Sequence, residues 1–81
     1  MARDDIIARL NDIFRDLFMD DRISLSDCTT AADVEGWDSL THINVIIAVE
    51  SAFDIKLDMA EVAELRDVGE LVTRIEEAVR G

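Results

Sequence analysis

Apolar residues recur at helical spacing in successive runs along the chain, and this periodicity constrains the fold more than any other feature. Ile6, Ile7, Leu10, Ile13, Phe14, Leu17 and Phe18 form the first run, interleaved with Arg9, Asn11, Asp12, Arg15 and Asp16. The spacing predicts a helix over residues 3–18 with one buried face. A second helix is expected from Ser39 to Phe53, with Asp38 or Ser39 as its cap. A short third runs from Met59 to about Glu64, with Asp58 and Glu61 in a D-x-x-E capping pattern. A fourth starts after Asp67, with Glu70 three residues on, and turns Val68, Leu71, Val72, Ile75, Ala78 and Val79 inward before ending at Arg80-Gly81. Proline and tyrosine are absent, glycine is scarce, and β-branched residues do not alternate with polar ones, so no strand competes with these assignments. The expectation is an all-α, four-helix bundle in a single domain, residues 1–81, with three longer helices, a short third helix and a long loop between helices 1 and 2.

That loop, residues 19–37, has no sustained period and is rich in turn and cap formers such as Asp20, Asp21, Ser24, Ser26, Thr29 and Asp33. Ile23, Leu25 and Val34 are its candidate anchors to the core. A structureless loop of this length in a small domain is often functional. It is not a calcium loop. Counting from Asp20 or Asp21, the sixth position is Leu25 or Ser26 rather than glycine, and the twelfth is Ala31 or Ala32 rather than glutamate. No metal site is expected elsewhere.

Nineteen acidic residues against 8 basic ones give a formal charge of −11. A chain this acidic repels nucleic acid and anionic membrane and is drawn to basic protein surfaces. No apolar run is long enough to enter and span a bilayer. The single cysteine, Cys28, builds no internal disulfide and points to a reducing compartment. Met1-Ala2-Arg3-Asp4-Asp5 leads straight into an amphipathic helix without a signal-peptide pattern. A cytoplasmic monomer is the expectation.

The second helix carries more apolar surface than one core face requires. At about 100° per residue, Val45, Ala48, Val49, Ala52 and Phe53 gather on one side. Leu40, Ile43 and Ile47 gather on roughly the opposite side, Ile46 lies between, and only Asn44 and Ser51 form a polar strip. Such a helix is either central or has a second face for a partner. The second stripe begins right beside Ser39, which favours a partner that reads the protein next to that serine.

Ser39 is a lone hydroxyl at a helix start, where unpaired N–H groups and the macrodipole favour an attached anion. Asp38, Ser39 and His42 supply the residue types of a hydrolytic triad, but all three fall within one helical turn and nothing supplies an oxyanion hole. The G-x-S-x-G elbow is absent, because Gly36 lies three before the serine and Thr41 two after. Asp-Ser-Leu also occurs in lipases with a Gly-Asp-Ser-Leu motif, but Trp37 replaces their glycine and the chain is too short for their fold. The chain is not expected to be an enzyme.

The stretch from Gly36-Trp37-Asp38-Ser39-Leu40 through the apolar helix to Glu50-Ser51-Ala52-Phe53-Asp54-Ile55 resembles the acyl carrier protein family. The order of helices, the acidity and the position of the serine fit as well, so the resemblance spans essentially the whole chain. It implies a bundle of acyl-carrier type. It implies further that Ser39 is esterified to 4′-phosphopantetheine by a phosphopantetheinyl transferase, with Asp38 presenting the site to that enzyme. The arm's thiol would then hold acyl groups as thioesters for acyl-loading and acyl-transferring enzymes. Leu40, Ile43 and Ile47 would be read by those partners. Val62 is counted with that partner-binding set, and the resemblance further implies that the arm or its acyl chain slips between helices 2 and 3 near Val62 and Leu65, the alternative for both being ordinary core packing.

The chain departs from fatty-acid-synthesis carriers at Thr41 and Asn44, where the family usually has acidic residues. Recognition at this helix should therefore lean on apolar contact. Trp37 and His42 look more like carriers of specialised lipid, polyketide, nonribosomal-peptide or aminoacyl-transfer systems. Trp37 either covers the helix start or packs on the loop, and His42 is expected on the helix surface or partly packed. The rival to a carrier is a small helical interaction module that uses the Leu40/Ile43/Ile47 face without modification.

Overall fold

The computed structural model describes residues 2–80. Four α-helices are present among them: α1 (Arg3–Phe18), α2 (Ser39–Phe53), α3 (Met59–Val62) and α4 (Val68–Arg80). The expected all-α architecture is observed, with α3 shorter than its sequence suggested. The bounds of α1 and α2 follow from their caps. Met19 and Asp54 adopt left-handed backbone and close the two helices by returning amides to Arg15 and Glu50. The proposed cap at Gly81 lies outside the described residues.

α1 packs against both α2 and α4, and the core sits between them. Ile6, Leu10 and Phe14 from α1 meet Val45, Ile46 and Val49 from α2 and Val68, Leu71, Val72 and Ile75 from α4. Ile46, which periodicity left between two stripes, is therefore a core residue. Ala52 is exposed and Phe53 half-buried, so the core face of α2 is narrower than expected. Val79 also departs from its inward assignment and stands 37% exposed at the end of α4.

The long loop is tied down along its length. Leu25 and Val34 are buried, as expected of anchors, and Ile23 packs at the edge of the core. Asn11 Oδ1 accepts from the Leu25 amide at 2.7 Å, and Arg15 Nε donates to the Ile23 carbonyl at 2.7 Å. Further on, the loop docks on the start of α4: the amides of Val68 and Gly69 donate to the carbonyls of Thr29 and Asp27 at 2.8 and 3.0 Å. Glycine at position 69 permits this approach, because a Cβ there would lie 2.8 Å from the Asp27 carbonyl oxygen. Arg3 joins the same junction, donating to Asp27, Thr73, Glu76 and the Gly69 carbonyl. One guanidinium thereby links the start of α1, the loop and α4.

Asp58 caps α3 by accepting from the Ala60 amide at 2.8 Å. The reciprocal bond expected from Glu61 does not form. Glu61 pairs instead with Arg74 at 3.5 Å, holding α3 to α4. Asp67 caps α4 through the Glu70 amide at 2.9 Å.

Candidate functional site

Asp38, not Ser39, caps α2. Its backbone is extended, and one carboxylate oxygen accepts from the amides of Leu40 and Thr41, both at 3.0 Å. Thr41 completes the turn, accepting from the Asp38 amide at 2.7 Å and donating to the Gly36 carbonyl at 2.7 Å. The Thr41 and Leu40 amides hold the Asp38 carboxyl below the usual carboxylate range. Gly36 supplies the sharp turn before the helix with φ of 90°.

This arrangement places Ser39 at the first position of α2, on the exposed surface. Among the described residues its hydroxyl makes no hydrogen bond. The helix start is less open to an anion than its sequence suggested, because the Asp38 carboxylate already occupies two of the first amides and opposes part of the dipole. What distinguishes Ser39 is therefore access.

The second apolar stripe lies on the surface. Leu40 is 78%, Ile47 58% and Ile43 46% exposed, while Ile46 between them is fully buried. Met59 on α3 is exposed nearby in the lining of the same groove as Ile43. Val62 behaves differently from these residues. It is 1% exposed, so its side chain belongs to the core and floors the groove and is not available as a docking surface.

Ser39 and Asp38 open onto a groove of about 420 Å³ between α2 and α3. Ile43, Met59, Val62 and Leu65 make it mainly apolar, and Arg66 and Asp67 add charge to its lining. Its inner wall is formed by Trp37 and His42. Trp37 is buried, with its ring edge-on to Phe14 at 4.9 Å between centroids. Its indole N–H donates to His42 Nδ1 at 3.1 Å. Indole is a donor only, so Nδ1 must accept and the imidazole proton sits on Nε2. Nε2 then donates to the Val62 carbonyl at 2.8 Å. Trp37 thus packs beneath the helix start, and His42 is partly packed with both nitrogens engaged, which removes the base a triad would need. Sequence reasoning missed this chain of contacts. Trp37 and His42, five residues apart, were a visible pair, but nothing local marks Val62.

No helix of the described residues is long and apolar enough to cross a membrane, and they contain no cluster of His, Cys, Asp and Glu suited to a metal ion.

Residues 8–75 match the family described as phosphopantetheine attachment site, and the chain belongs to that family. Within it, the chain is an acyl carrier protein by fold and sequence. A solution NMR structure of a holo acyl carrier protein from Geobacter metallireducens superposes with a TM-score of 0.84 at 36% identity, covering 91% of this chain and 85% of that one. No curated protein matches the chain. The family carries a covalent phosphopantetheine group and is a family of carriers rather than enzymes. The residues present fit such a group: an exposed, unengaged hydroxyl stands at the mouth of an apolar groove.

Proposed function

We propose that Ser39 is the attachment point for 4′-phosphopantetheine, and that the loaded protein presents thioester cargo to partners through the face formed by Leu40, Ile43 and Ile47. The observation that carries this reading is the exposed Ser39 hydroxyl, fixed at the start of α2 by the Asp38 cap and bordered by that apolar face. A phosphopantetheinyl transferase needs both: a hydroxyl it can reach and a surface it can read. Asp38 serves presentation by fixing the turn, and its second carboxylate oxygen faces no amide of the cap. The group supplies the reactive thiol when bound, and the protein supplies placement and recognition.

The partners are the transferase and enzymes that load and remove acyl groups, met by a monomeric carrier in the cytoplasm. With Thr41 and Asn44 where acidic residues usually stand, contact at α2 is chiefly apolar, and the acidic charge elsewhere steers encounter. This pattern supports clients in a specialised lipid, polyketide or nonribosomal-peptide type of pathway. The test is incubation with a broad-specificity transferase and coenzyme A, followed by intact mass. The native chain gains one arm and the Ser39→Ala variant gains none. An unmodified native chain beside a modified control carrier would favour the unmodified interaction module.

A further inference from the structure

The groove beside Ser39 ends on a cross-brace. His42, on α2, reaches the Val62 carbonyl of α3 at 2.8 Å and takes the indole N–H of Trp37 at 3.1 Å on its other nitrogen. The imidazole also stacks on the indole, with ring centroids 5.9 Å apart. The brace therefore lies where a chain entering the core between α2 and α3 would have to pass. Behind it, Val62, Val45 and Ile46 are closely packed and fully or almost fully buried.

Moving an alkyl chain inward from the groove requires separating His42 from Val62. That would strip partners from an imidazole nitrogen and a backbone carbonyl. Shifting the imidazole would also leave the indole N–H of buried Trp37 unpaired. An alkyl chain returns no hydrogen bond to any of these groups, so its entry is opposed. The geometry points to a carrier whose cargo stays outside the helices: the His42 brace bars long alkyl chains from the core, and the groove holds the arm with short or polar acyl groups at the surface. His42 is then a specificity-determining residue that acts on the cargo's whereabouts and takes no part in acyl chemistry. This inference rests on attachment at Ser39.

The test loads native protein with acetyl- or octanoyl-phosphopantetheine from the corresponding coenzyme A thioesters, with intact mass confirming each product. Failure to load would count against the attachment reading and is seen before the brace is probed. In the loaded native protein, the indole N–H resonance of Trp37 and the thermal midpoint should be the same for acetyl and octanoyl forms. In His42→Ala, octanoyl should shift the indole resonance and raise the midpoint above that of the acetyl form. His42→Leu, which fills the site with an apolar side chain but makes neither hydrogen bond, should show the same chain-length dependence in its midpoint and in the Val62 amide resonance. It serves if His42→Ala does not fold. Chain-length dependence already present in the native protein would overturn the inference. So would its absence from every folded variant.

Discussion

Ile46 and Ile47 are neighbours in sequence, yet truncating them should have opposite consequences. Ile46 is fully buried among core side chains, whereas Ile47 is 58% exposed. Ile46→Ala removes buried methyl and methylene groups and leaves a cavity, a loss of about 2–5 kcal/mol. A domain of 81 residues at about 0.05–0.15 kcal/mol per residue has roughly 4–12 kcal/mol in total, so the variant should lose a large part of its stability. With a urea slope of about 1–1.5 kcal/mol per M, the unfolding midpoint should fall by about 1–5 M. Ile47→Ala removes a side chain that is mostly in water and gains a few tenths of a kcal/mol in helix propensity, so its stability should stay within about 0.5 kcal/mol of native. Urea titration followed by far-ultraviolet circular dichroism separates the two. In the absence of urea, kcat/KM of the transferase should fall about three- to tenfold for Ile47→Ala, the range expected when an apolar contact worth about 1 kcal/mol is lost. A midpoint for Ile47→Ala that falls as far as that of Ile46→Ala would refute the reasoning, because the second stripe would then be core. An unaltered transfer rate would remove Ile47 from the docking face.

Asp38 should make stability depend on pH. Its carboxyl is held low in the folded chain by the Thr41 and Leu40 amides, so its contribution is present above the unfolded value of about 3.9 and is lost as pH falls through the lowered folded value. Asp38→Asn does not titrate, and the margin of native over variant in thermal midpoint should shrink on acidification across that window. A margin independent of pH would remove the carboxylate from the cap. Gly69→Ala drives a Cβ to 2.8 Å from the Asp27 carbonyl oxygen. Overpacking of about 1–3 kcal/mol, offset by up to about 1 kcal/mol of helix propensity, should leave a net loss and lower the thermal midpoint by about 5 °C. An unchanged or raised midpoint would show that the loop is not fixed against α4. Gly36→Ala forces a Cβ onto backbone at φ of 90°. It should lower the midpoint through strain of about 1–2 kcal/mol, and a neutral result would mean that the turn before α2 relaxes freely.

Sequence legibility followed the range of the interactions that decide each feature. The bounds of α1 and α2 rest on local caps and on a period carried by neighbouring residues, so both were readable from end to end. α3 was overextended at its C-terminal end, where the helical bond from Ala63 to Met59 gives way to tighter turns, Glu64 to Glu61 and Leu65 to Val62, that no residue signal marks. The burial of Ile46 and the exposure of Ala52 depend on where α1 crosses α2, which the period of α2 alone does not contain. The same is true of Val62, whose inward turn made it core and not a docking residue. Ser39 stood out because its neighbours in sequence form the cap and the stripe around it. The Trp37–His42–Val62 brace did not, because its last member lies 20 residues from His42 and contributes only a carbonyl, a group every residue possesses.

The central claim is that one particular hydroxyl carries the arm. Enzymatic loading with coenzyme A, proteolysis and fragment masses locate the added group directly. The account expects it on Ser39, with Thr41 and Ser51 of the same helix unmodified. An arm on either of those residues, or none on any residue of a folded native chain, would contradict it.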